Sequence, residues 1–246
     1  MHMSWDKAAK VFTPFALVVT AAAIPGVAAA AIVVASSGPS AREFPAGKKL
    51  ADNQSVTLRA GDTVTVLDAG GTRVLRGAGS FTLGQQGAAA NNPTFAALTR
   101  QRGAQRVRTG AVRNSGPTGP VMSPNLWYVD IAQSGTKCVV DPAAVVLWRA
   151  DPAKPADYTI GSKSGSSGAA SFAAGAMVAP WDTVRAPIAD GASYTLAAAG
   201  TVSTQVRFAV LGTQPATPEG LAEALIAKGC TSQLNLLSAS LAQPAS

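Results

Sequence analysis

A chain of 246 residues with 20 Lys and Arg against 13 Asp and Glu carries a formal charge of +7 at neutral pH. Its sole histidine is His2, ahead of every segment read below as folded, which excludes histidine metal sites, Ser-His-Asp triads and histidine general bases there. Plentiful Gly (24) and Pro (16) beside only 6% aromatics point to a turn-rich, mainly β chain.

Residues 11–41 hold no charged side chain, with Lys7 and Lys10 before them and Arg42 after. A basic start, an apolar middle and small residues at the end are the parts of an export signal. Ala-x-Ala cleavage triplets stand at Ala21–Ala23 and Ala28–Ala30, and a Pro-Ser-Ala ending at Pro39–Ala41. Residues 1–41 therefore read as a signal peptide or an N-terminal membrane anchor. The second reading stays open because about 20 apolar residues span a bilayer, and Ala16 to Ala35 reaches that length. A buried core helix is the third. Export places the folded part in the periplasm or outside the cell, and retention anchors it to the inner membrane. Membrane contact follows only if the apolar segment is retained.

Residues 36–48, rich in Ser, Gly and Pro, read as a spacer, with 42–48 as the linker proper. Four short runs follow: Ser55–Arg59, Thr63–Leu67, Thr72–Arg76 and Ser80–Leu83. Each alternates apolar and polar residues, and Gly or Asp divides them, as in a β meander. Val56, Leu58, Val64, Val66 and Val74 are expected on its buried face.

The pattern Ala51-Asp52-Asn53-Gln54-Ser55-Val56-Thr57-Leu58-Arg59-Ala60-Gly61-Asp62-Thr63-Val64, then Gly71-Thr72-Arg73 and Gly77-Ala78-Gly79, resembles the periplasmic β repeat of FecR-type proteins. The resemblance covers about residues 49–83. It implies a small β roll that contacts other envelope proteins in signalling, and it carries no catalytic residue across. The β unit is taken as 49–92.

Asn91-Asn92-Pro93 offers a helix cap with Pro at the first helical position, and a helix is expected from Pro93 to about Val107. Its end runs into Arg100, Arg102, Arg106, Arg108 and Arg113, five arginines within 14 residues. Such a patch suits an anionic polymer of the envelope or an acidic partner. The alternative is a solvated face plus a loop. Nucleic acid is not expected, since neither interleaved aromatics nor a recognisable module accompanies the arginines. Residues 93–120 thus form an Arg-rich helical connector ending in a Gly/Pro boundary.

From 121 to 237 the spacing reads as a β-sandwich closed by a helix. Strands are expected at Leu126–Ile131, Thr136–Val140, Val145–Arg149, Asp157–Ile160, Ala176–Val178, Ser193–Leu196 and Gln205–Leu211. The layering resembles an immunoglobulin-like sandwich in architecture, without that family's Cys spacing. A Gly/Ser loop is expected over Gly161–Gly168. Trp127, Trp148 and Trp181 are read as core. Thr217-Pro218-Glu219 opens a helix and Lys228-Gly229 closes it, with Leu221, Leu225 and Ile226 inward. Leu234, Leu236 and Leu237 dock after it, and 238–246 is a tail. Cys138 and Cys230 are the only cysteines. In an oxidising compartment such a pair is most simply one disulfide, and two buried thiols are the alternative.

Ser134-Gly135-Thr136-Lys137, Ser123-Pro124-Asn125 and Lys163-Ser164-Gly165 resemble the three motifs of serine β-lactamases. Their order is wrong, and Ser134 falls in a turn rather than at a helix start, so no acyl-serine site is assigned. Of the aspartates at 130, 141, 151, 157, 182 and 190, three adjoin Pro or Gly, where Asp makes turns, and a paired-carboxylate glycosidase stays open as a third function. The sequence therefore predicts a mainly β protein: a FecR-like meander, an immunoglobulin-like sandwich, one connector helix and one C-terminal helix. It predicts no enzyme, no cofactor and no metal. An envelope protein partner is expected, with an anionic polymer at Arg100–Arg113 as the alternative.

Overall fold

The computed structural model describes residues 29–51, 53–83, 92–101 and 121–242. The fold is mainly β. Its first described strand lies where the leader was expected to continue. Ala29–Ser37 is strand β1, and Ala31, Ile32, Val33 and Val34 are buried. Strands β2 (Lys49–Ala51), β4 (Thr63–Asp68) and β5 (Gly71–Arg76) join it in one antiparallel sheet of order β2-β1-β4-β5. Strands β3 (Ser55–Leu58) and β6 (Gly79–Thr82) pair separately as a two-stranded ribbon.

These pairings correct three expectations. A leader ending at Ala41 would carry away β1, to which both β2 and β4 bond. An apolar run buried on both faces of a sheet has the same composition as a signal core, so composition does not separate the two. Residues 36–48 are not a loose spacer either: Ser40 and Phe44 are buried, and Gly47 N–H donates to Val33 O at 2.8 Å. Finally, the four alternating runs do not pair in chain order. Alternation fixes which face each strand buries but not its neighbour, and here β3 reaches over β4 and β5 to β6.

The face prediction holds for Val56, Leu58, Val64 and Val66, and fails for Val74, which is 46% exposed. Leu75 takes the inward place, opposite Val64. The ribbon packs on one side of the sheet in a core of Ala31, Val33, Phe44, Leu50, Val56 and Val64 with their neighbours.

Helix α1 spans Pro93–Thr99, with Asn92 accepting from Phe95 N–H at 3.0 Å. The cap is as expected, but the helix stops at Thr99 because Arg100 is extended. The expected continuation to Val107 falls largely outside the described residues.

The carboxy-terminal half builds two further sheets. Strands β8 (Gly135–Val139), β10 (Ala156–Ser162), β11 (Ser167–Phe172), β13 (Ser193–Ala197) and β14 (Thr204–Val210) form one, in order β11-β10-β13-β14-β8. Strands β7 (Tyr128–Asp130), β9 (Val146–Trp148) and β12 (Val178–Pro180) form the other, in order β12-β9-β7. Two pairs are parallel, β8 with β14 and β7 with β9. The sheets enclose one core that includes Val129, Leu147, Ile160, Phe172, Trp181 and Phe208. There Trp181 meets Tyr194 and Phe208 edge-on, with centroids 5.3 and 5.1 Å apart. The expected Gly161–Gly168 loop is only a tight hairpin, since β10 runs to Ser162 and β11 starts at Ser167. Strand β11 leaves little trace in the sequence because Ser, Gly and Ala carry little β signal.

Helix α2 is Pro218–Lys228, opened by Thr217 and closed by left-handed Gly229, as the sequence predicts. A further helix, α3 (Thr231–Ser240), follows at once. The tail expected from 238 is ordered at least to Ala242: Leu241 is buried, and Thr72 N–H donates to Leu241 O at 2.8 Å. Helices α2 and α3 lie between the two β units. Their core joins Ile32, Val34 and Leu67 of the first sheet to Trp127 and Cys138 of the second unit. Among the described residues no helix is long and apolar enough to cross a membrane.

Candidate functional site

Strand β8 is the end strand of the five-stranded sheet, and the start of α3 covers it. Cys138 of β8 is bonded to Cys230, the residue before α3, with Cα atoms 5.8 Å apart across a sequence separation of 92. Both cysteines are fully buried. Of the two readings of the pair, the disulfide is the one formed. Beside it, Cys138 N–H donates to Gln233 Oε1 at 2.6 Å, and Gln233 Nε2 donates to Cys138 O at 2.8 Å and to Leu126 O at 2.9 Å.

Lys137 is 3% exposed and donates from Nζ to Ser232 Oγ at 2.8 Å. Burial pushes its ammonium below the ordinary lysine range, and the charge of Asp130 opposes that shift. Both Lys137 and Ser232 line a cavity of about 510 Å³ whose apolar wall includes Met122, Leu126, Tyr128 and Leu236. The sequence offered only a thin signal for this pair: a lone lysine inside a β-branched run, with its partner 95 residues on.

The residues singled out from sequence are distributed elsewhere. Arg100 follows α1, its side chain exposed and its carbonyl accepting from Asn125 Nδ2 at 2.7 Å. Arg102, Arg106, Arg108 and Arg113 lie outside the described residues. Ser134 and Lys137 of the Ser-x-x-Lys motif do not share a site: Ser134 Oγ accepts from Gln205 N–H at 3.1 Å. Ser134 instead borders a smaller cavity of about 390 Å³, with Lys163 and Arg207. Ser123 Oγ donates to Asn125 O at 2.8 Å and so serves a local turn.

Five of the six aspartates also make turns or backbone ties. Asp130, Asp141 and Asp151 each accept an amide two residues on, at 2.9 Å. Asp182 takes the Arg185 amide. Asp190 takes the Val210 amide at 2.9 Å, which holds its carboxyl below the usual range with help from Lys228.

Compared with family models, with curated proteins and with solved structures, the chain matches none.

Proposed function

We propose that this chain is an exported, non-enzymatic protein of the bacterial envelope that works through protein contact, in signalling or envelope organisation. The observation that carries the reading is the buried Cys138–Cys230 bond. Disulfides of this structural kind persist in oxidising compartments and are rare in the cytosol. The export leader is then confined to the residues before β1, and of the three candidate cleavage points only Ala21–Ala23 lies wholly ahead of Ala29. Within this reading, residues 49–83 are a FecR-like contact module. The stacked sheets after residue 121 are immunoglobulin-like in layering alone, since two of their strand pairs are parallel.

The anionic-polymer alternative draws on the five arginines from Arg100 to Arg113 and the charge of +7. Ionic strength separates the two. Polymer binding falls steeply with added salt, whereas an apolar protein interface barely responds. The test is crosslinking and pull-down from intact cells, with thiol alkylation before and after reduction. A partner from the envelope and no alkylated cysteine before reduction are expected. Native protein in the cytosol with both thiols reactive would overturn the proposal.

A further inference from the structure

The Lys137 cavity carries an inference that rests neither on export nor on protein contact. Among the described residues the Lys137 ammonium has one hydrogen-bond acceptor, Ser232 Oγ, and no carboxylate within ion-pair distance. An ammonium has three N–H donors. A buried charge with so few partners is costly until an anion reaches it. Asp130 borders the same cavity and its charge acts on Lys137 from a distance, but it makes no ion pair with the ammonium and its two oxygens accept from Ala132 N–H and Gln133 Nε2, each at 2.9 Å. Ser232 sits in the first turn of α3, where Cys230 provides no side-chain cap. The first-turn amides of a helix add partial positive charge of their own. Positive potential from two sources thus meets at Ser232.

The rest of the cavity sets the ligand's other end. Met122, Leu126 and Leu236 offer apolar wall. Several polar side chains there are already engaged, Asp130 with Gln133, Ser123 with the Asn125 carbonyl and Gln233 with the Leu126 and Cys138 carbonyls. Along that apolar stretch no side chain offers a peptide main chain a hydrogen bond, whereas an alkyl chain needs none. We propose that the cavity binds a medium-chain aliphatic monocarboxylate, its carboxylate held by Lys137 Nζ and Ser232 Oγ and its tail along Met122, Leu126 and Leu236.

The test is calorimetric titration of the oxidised full chain with decanoate, matched against 1-decanol and a pentapeptide ending in leucine with a free carboxylate. Saturable one-to-one decanoate binding is expected, with decanol and the peptide at least about tenfold weaker. Lys137→Met, which keeps the stem and removes the charge, should lose at least about tenfold in affinity. Ala239→Trp tests the cavity independently: position 239 lines it and is exposed, so a large side chain there takes up its space while the Lys137 charge is kept, and decanoate binding should be lost. If Lys137→Met does not fold, Ala239→Trp carries the test. The proposal is overturned if decanoate does not saturate, if decanol or the peptide binds as tightly, if folded Lys137→Met keeps its affinity, or if Ala239→Trp binds decanoate unchanged.

Discussion

The side-chain amide of Gln233 grips the peptide of Cys138 as a neighbouring strand would, accepting its N–H at 2.6 Å and donating to its carbonyl at 2.8 Å. Strand β8 ends the five-stranded sheet, so its outer backbone groups need partners from elsewhere. Gln233 is buried and supplies them from α3. Gln233→Leu keeps the volume roughly but leaves three buried groups unbonded, counting Leu126 O. At about 1–3 kcal/mol per abandoned group, less what water recovers, the loss should be about 3 kcal/mol. Urea midpoints under non-reducing conditions measure it, and a loss under about 1 kcal/mol would show that the amide is a bystander.

The disulfide acts on the same strand through the unfolded state. A crosslink spanning 92 positions restrains the denatured chain by about 4–5 kcal/mol in the chain-entropy view. The paired variant Cys138→Ala/Cys230→Ala should therefore unfold at much lower urea than the oxidised protein. Because both cysteines are buried, a bulky water-soluble reductant should cut the native bond only as fast as the region opens. Reduction that ran at the same rate in native and urea-unfolded protein would contradict that burial.

Local chemistry was readable from residues, and neighbours in space were not. Helix α2 announced itself through Thr217, Pro218 and Gly229, each a backbone instruction confined to one turn. Strand β1 did not, because its signal is burial on both faces. Ile32 and Val34 enter the core shared with α2 and α3, while Ala31 and Val33 enter the core under the β3–β6 ribbon. No polar residue alternates with them, so the run reads equally as a leader or a strand. The Lys137–Ser232 contact depended on α3 folding back onto β8, which no spacing encodes.

The same relationship makes a prediction. Val33 is fully buried, and Val33→Asp places a carboxylate between two sheet layers. A loss of at least about 4 kcal/mol, a large share of the roughly 5–15 kcal/mol that holds a typical domain folded, is expected. Urea unfolding followed by circular dichroism reads the result. Full tolerance of the substitution would mean that residues 29–37 are dispensable leader after all.

Arg149 solves a burial problem without a carboxylate. Its guanidinium donates to the carbonyls of Ala176 at 2.8 Å, Lys154 at 2.6 Å and Ala173 at 2.9 Å, and it lies over the Phe172 ring at 4.8 Å. The planar fork thereby fastens the segments at 152–154 and 173–176 to the end of β9. A lysine keeps the charge but cannot reach three directions at once. Arg149→Lys should cost about 2–3 kcal/mol and speed hydrogen exchange at Gly175, whose amide bonds to Pro152 O. Unchanged exchange there would separate the arginine from the loop.

Asp62 ties the turn after β1 to the turn before β4, and it makes that tie sensitive to acid. Its carboxylate accepts the amides of Ser40 at 2.8 Å and Arg59 at 2.6 Å. The two turns approach so closely that a Cβ on Gly38 would stand 2.6 Å from Gly61 O. Hydrogen bonding from the Ser40 side chain and amide, then from the Arg59 amide, holds the Asp62 carboxyl below the usual carboxylate range against the opposing effect of burial. With the folded value below the unfolded one, the contribution is whole above the unfolded value and is lost as pH falls through the folded value. Asp62→Asn removes that dependence. Wild type should therefore be the more stable protein at neutral pH, and its lead should shrink on acidification below the ordinary carboxylate range. Asp190 is lowered in the same direction, so the variant keeps part of the acid limb. Urea midpoints for both proteins across that pH span decide the matter. A gap that stayed constant or widened toward acid would show that Asp62 is not charged in the fold.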